Sequence, residues 1–83
     1  MTCRVLVVDD EPRVGQMLEK TLPKHGFSVA WTADPVEALE LLRDEDFELL
    51  VADFRMPGLD GASLCRRAME LRSDLRDVVI TAF

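Results

Sequence analysis

Cysteine and histidine are scarce in this chain, which has Cys3, Cys65 and His25 in 83 residues. Without a C-x-x-C spacing or further ligands they form neither a disulfide framework nor a zinc site. The cysteines read as buried or idle thiols in a reducing cytosol. Basic residues are outnumbered, ten against sixteen acidic ones, for a net charge of -6. Such a surface does not track phosphates, which excludes direct nucleic-acid binding by these residues. Nothing approaches about 18 uninterrupted apolar residues, and no apolar stretch precedes a small-residue cleavage site. The expectation is no membrane span, no signal peptide and a cytoplasmic location. Neither G-x-G-x-x-G nor G-x-x-x-x-G-K-S/T occurs, so dinucleotide and Walker-type phosphate cradles are unsupported. There is also no repeat, linker or low-complexity tract. What remains, 48% hydrophobic and 31% charged, is the composition of one globular domain near the size at which a single core only just offsets chain entropy.

The hydrophobic pattern alternates between two periods. Val5, Leu6, Val7 and Val8 read as a strand buried on both faces, followed by Asp9, Asp10 and Glu11. Pro12 suits a helix's first turn, and Val14, Met17, Leu18 and Leu22 follow at helical spacing up to His25-Gly26, a glycine cap. Phe27, Val29 and Trp31 alternate with Ser28, Ala30 and Thr32 as a second strand with one drier face, its aromatics read as core. Asp34 as N-cap, Pro35 at the first helical position and Glu37 announce a second helix, with Leu39 and Leu42 on its apolar stripe. Leu49, Leu50, Val51 and Ala52 form another buried run that again ends on a carboxylate, Asp53. After the turn-rich "RMPGLDG", Asp60 caps a third helix with Leu64, Ala68 and Leu71 on one side, and "DVVITAF" is a fourth strand. Asp44, Glu45 and Asp46 read as a solvated connection, and Arg66, Arg67, Arg72 and Arg76 as the wet face of the third helix. The β-α alternation predicts an α/β fold with a doubly wound parallel sheet, whose function collects at the carboxyl ends of its strands.

Those ends carry the acids. If the first and third strands are neighbours, about 4.8 Å apart, Asp9, Asp10 and Asp53 converge on one small volume. Their mutual repulsion calls for a cation, and a hard ion such as Mg²⁺ accepts one or two carboxylates plus a phosphate. An aspartate beside such an ion can act as a nucleophile toward phosphorus.

"VLVVDDE", "VADFRMPGLDG" and "VVITAF", in this order and at these separations, resemble the receiver domain of two-component response regulators. The resemblance implies a flavodoxin-like sheet of strand order 2-1-3-4(-5). It implies that Asp53 is the phosphoacceptor, Asp10 a direct Mg²⁺ ligand and Asp9 a ligand through water. The backbone carbonyl of Arg55 would complete the metal shell, and Thr81 would be the switch hydroxyl, with Ala82 keeping the site open. Met56, Pro57 and Gly58 match the loop after the acceptor. The "TAF" ending is most similar to receivers attached to ATP-dependent transcriptional activators. The implied function is a signalling switch that takes a phosphoryl group from a sensor histidine kinase or phosphotransfer protein and serves a C-terminal effector domain. It is a phosphoacceptor rather than an enzyme.

The resemblance spans residues 1–83 as a receiver incomplete at its C-terminus, ending before the family's fourth helix, lysine-bearing fifth strand and fifth helix. Lys20 and Lys24 lie in the first helix and do not replace that lysine. Two consequences are expected for such a chain: an exposed fourth strand through which it self-associates, and, as the alternative function, a receiver-like binding or scaffold module that is not phosphorylated. A small Mg²⁺-dependent phosphohydrolase fits less well, since "FRM" after Asp53 places no second aspartate two residues on.

Overall fold

The computed structural model describes residues 3–53, 61–72, 75 and 77–81. Strands β1 (Cys3–Val8), β2 (Phe27–Thr32), β3 (Leu49–Asp53) and β4 (Asp77–Thr81) alternate with helices α1 (Pro12–Thr21), α2 (Pro35–Asp44) and α3 (Gly61–Leu71). All strand pairs are parallel and the order is β2-β1-β3-β4, which bears out the expected fold. The chain leaves β1 toward β2 on one side and returns to β3 on the other. The strand order therefore reverses between β1 and β3, where open α/β sheets place their ligand crevice.

Two layers cover the sheet. Leu6, Val8, Leu50 and Ala52 pack with Ala38 and Leu42 of α2, Phe47, and Leu64, Cys65 and Ala68 of α3 in one buried cluster. Val5 to Val8 are all fully buried, so β1 is dry on both faces, as its unbroken apolar run requires. On the opposite face α1 approaches closely through Gly15, its buried residue. A Cβ there would collide with the Trp31 indole. Only a glycine lets the helix backbone sit on that ring.

The local signals are realised with four adjustments. Asp34 is the N-cap of α2, its carboxylate accepting from the Val36 N–H at 2.9 Å. α1 gives way at Leu22–His25 to a 3-10 turn, because Pro23 has no N–H to continue the α-helical ladder. Gly26 closes it with φ +87°, a left-handed conformation that favours glycine. Met17, expected on the apolar stripe, is 53% exposed. The buried side of α1 centres on Val14, Gly15 and Leu18, roughly 110° around the helix from Met17. Leu71 is likewise 48% exposed at the last residue of α3. β2 lacks a clean dry face, since Thr32 is buried while Phe27, Val29, Ala30 and Trp31 are all half-buried.

The acidic connection after α2 is tied down. Arg72 donates to the carbonyls of Leu42 (2.7 Å), Arg43 (3.4 Å) and Glu45 (3.2 Å) and to the Asp46 carboxylate (2.8 Å). It caps the α2 C-terminus, where a cation is favoured by the helix dipole. Arg4 pairs with Glu45 at 2.8 Å and lies 4.6 Å over the Phe47 ring. The reading of Arg72 as wet helix face is thereby corrected, while Asp44, Glu45 and Asp46 are exposed, as expected of a solvated connection. Arg66 and Arg67 are exposed as expected, and Arg76 lies outside the described residues.

Candidate functional site

β1 and β3 pair with Val8 opposite Ala52, so the next residues on each strand, Asp9 and Asp53, emerge at one level. On the far side of β3 the register sets Asp53 opposite Thr81. One row across the carboxyl end of the sheet thus runs Asp9, Asp53, Thr81. Asp10 follows Asp9 at the rim, and one carboxylate oxygen from each of Asp9, Asp10 and Asp53 lies within 4.8 Å of the other two. Asp9 is 3% and Asp53 7% exposed, whereas Asp10 is exposed.

The three consecutive acids do different things. Glu11 is the N-cap of α1, its carboxylate accepting from the Arg13 N–H at 3.2 Å. Asp9 is pinned at three atoms. Its N–H donates to the Thr32 carbonyl (3.1 Å), its Oδ1 accepts from the Glu11 N–H (2.8 Å), and its carbonyl accepts from the Trp31 indole N–H (3.0 Å). Asp10 turns outward from this fixed point. Thr32 Oγ1 accepts from the Asp34 N–H at 3.1 Å, securing the end of β2 beside the site.

Burial pushes the Asp9 carboxyl above its ordinary value. The Glu11 N–H opposes that shift, and the charges of Asp53, Asp10 and Glu11 add to it. Folded Asp9 therefore holds a proton more tightly than unfolded Asp9. Its contribution to stability is fully present below the ordinary aspartate value and is lost as pH rises through the raised one. In metal-free buffer, Asp9→Asn is expected to remove that loss while keeping an acceptor for the Glu11 N–H. Thermal melts from acid to neutral pH should show a flatter profile than wild type, and an unchanged profile would contradict this origin of the shift.

The donor set suits a hard cation. Three carboxylates offer only oxygen, and the spacing is close to the roughly 3–4 Å between oxygens sharing one Mg²⁺. Among the expected site residues, Asp9, Asp10 and Asp53 are brought together. Thr81 is placed by backbone register alone, and Arg55, Met56, Pro57, Gly58, Asp60 and Ala82 lie outside the described residues. Lys20 is in the last turn of α1, on the order of 12 Å along the helix from its start at the acids, and does not reach them. Trp31, expected in the core, is half-buried and donates its indole N–H to the Asp9 carbonyl. A glycine inside an otherwise apolar helical stripe, facing a strand with one large aromatic, was the available signal.

Comparison with known proteins agrees with this geometry. The family described as response regulator receiver domain matches residues 5–83. The response regulator MprA of Mycobacterium bovis is 40% identical over 82 residues, which cover 99% of this chain and 36% of that protein. The chain thus spans just over a third of the curated relatives it matches. Among solved structures, the chemotaxis protein CheY4 of Vibrio cholerae superposes with a TM-score of 0.90 at 26% identity, over 96% of this chain and 68% of that one. A response regulator from Burkholderia pseudomallei, solved with a phosphorylated aspartic acid, a calcium ion and citrate, gives a TM-score of 0.84 at 29% identity, over 94% of this chain and 46% of that one. The fold is that of a receiver domain, and this chain belongs to the response regulator receiver domain family. Among the described residues no helix is long and apolar enough to cross a membrane.

Proposed function

We propose that this receiver domain is a phosphorylation-dependent switch in which Asp53 accepts a phosphoryl group from a sensor histidine kinase or phosphotransfer protein. The observation that carries this reading is the convergence of the Asp9, Asp10 and Asp53 oxygens within 4.8 Å at the β1/β3 switch point. The phosphorylated aspartic acid and calcium ion of the Burkholderia relative support it. In the transfer an Asp53 oxygen forms a bond to phosphorus as the donor's P–N bond breaks, and that electron pair returns to the imidazole nitrogen. Mg²⁺, when bound, supplies positive charge that offsets the charge on the phosphoryl oxygens. Asp10 at the exposed rim would hold the ion directly. Asp9, with one oxygen already engaged by Glu11, would hold it through water, and the Arg55 carbonyl would complete the shell. Thr81, level with Asp53 on β4, would supply the hydroxyl that reports the phosphoryl group to the rest of the domain. The setting is the cytoplasm, and the additional length of the MprA relatives leaves room for an effector region beyond the receiver.

The test is chemical. In a chain carried to the length of the solved receiver domains, acetyl phosphate is expected to give a labile adduct with Mg²⁺ present and none after chelation. An adduct that ignores chelation would overturn the reading.

A second reading, a binding or scaffold module that is not phosphorylated, is favoured for an isolated 83-residue polypeptide by the edge of its sheet. In that polypeptide β4 is an edge strand of the described sheet, and open edges pair with other chains. Light scattering should find association through β4, and a strict monomer at high concentration would contradict that.

A further inference from the structure

The Trp31 indole spans two elements at the site. Its N–H donates to the Asp9 carbonyl at 3.0 Å from the edge strand β2, and its ring lies on Gly15 of α1, where even a Cβ has no room. The Asp9 carbonyl and the Asp10 N–H belong to one planar peptide unit. A donor fixed on that carbonyl therefore fixes the plane from which the Asp10 carboxylate projects. Among the described residues no other side chain holds that peptide: the remaining bonds of Asp9 run from its own N–H to Thr32 and to its Oδ1 from Glu11. Three carboxylates in so small a volume repel one another, and the exposed Asp10 is the one able to swing away. Holding it in place before a cation arrives lowers the ordering cost of binding.

We infer that Trp31, clamped between Gly15 and the Asp9 carbonyl, is a positioning residue that preorganises the Asp9–Asp10 pair for a divalent cation. The inference rests on the metal reading above and adds a group that tunes the site's affinity. It also makes Trp31 a built-in reporter, because its N–H is bonded to the backbone carbonyl of Asp9, one of the residues that would hold the ion.

The clamp has two halves, which gives a test that separates positioning from packing. Trp31→Phe keeps an aromatic ring against Gly15 and removes the N–H. Gly15→Ala keeps the N–H and pushes the ring away from its seat. In the full chain, with Mg²⁺ as the titrant and calorimetry as the readout, each variant should bind about five-fold more weakly, the scale of one net hydrogen bond. The double variant should bind no more weakly than either alone, since both remove the same contact. In wild type the indole ¹⁵N–¹H resonance should shift with Mg²⁺ at the binding midpoint, and circular dichroism confirms that each variant is folded. Wild-type affinity in Trp31→Phe, multiplying effects in the double variant, or an indole resonance that ignores Mg²⁺ would each overturn the inference. If wild type itself binds no Mg²⁺, the metal reading falls and this inference with it. If wild type binds and Asp10→Ala does not, but Trp31→Phe matches wild type, only the inference falls.

Discussion

Asp53→Asn is expected to abolish the acetyl phosphate adduct. Asp53 is the strand-end carboxylate of β3, which lies between β1 and β4, and it is buried level with Asp9 on one side and Thr81 on the other. An amide at the same place keeps the shape and loses the negative charge and the nucleophilic oxygen pair, so attack on phosphorus stops while the fold persists. Asp9 and Asp10 lie within 4.8 Å, but their assigned work is to hold the cation, and neither is expected to take over as acceptor. Lys20→Ala, in the last turn of α1, should leave the adduct at its wild-type level. Radiolabel or mass analysis of the three proteins decides this, and a persistent adduct in Asp53→Asn would move the acceptor elsewhere.

Asp10→Ala is expected to act in opposite directions on binding and on stability. Removing an exposed carboxylate from a site that needs negative charge should weaken Mg²⁺ binding by at least about ten-fold. The same change relieves repulsion on Asp9, one of the causes of that group's raised proton affinity, so the metal-free protein should melt higher. A gain of about 0.5–2 kcal/mol is the usual yield of removing a functional strain. Calorimetric titration and metal-free thermal melts together read both signs. Equal heats for wild type and variant, or a variant that melts lower without metal, would contradict the assignment.

The β-α alternation and the two acid-ended apolar runs were legible because each is a local pattern, whereas the strand order was implied only by the family resemblance. An apolar run that ends on a carboxylate, met twice, becomes a site once parallel pairing sets the two strand ends side by side. Asp34 could be read as an N-cap for the same reason, since its partner, the Val36 N–H, is two residues away. The contacts that were not legible join residues far apart in sequence. Trp31 meets Asp9 across a gap of 22 residues, and only the β1–β2 register and the closeness of α1 at Gly15 bring them together. Arg72 reaches the α2 carbonyls from just beyond the end of α3, and no periodicity in either helix encodes that meeting. Met17 shows the limit of periodicity itself. Its spacing fits an apolar stripe, but the approach allowed by Gly15 sets which side of α1 is buried. The family resemblance assigned roles to Arg55 and Thr81. The geometry adds a register position for Thr81 and nothing for Arg55.

The central claim, that Asp53 is the phosphoacceptor of a cation-dependent switch, is tested most directly by locating the adduct in wild-type protein. After treatment with acetyl phosphate and Mg²⁺, borohydride reduces an aspartyl phosphate to homoserine, and peptide sequencing by mass spectrometry finds where. Homoserine is expected at position 53 with Mg²⁺ and none with a chelator. Homoserine at position 9 or 10, or at position 53 regardless of chelation, would contradict it.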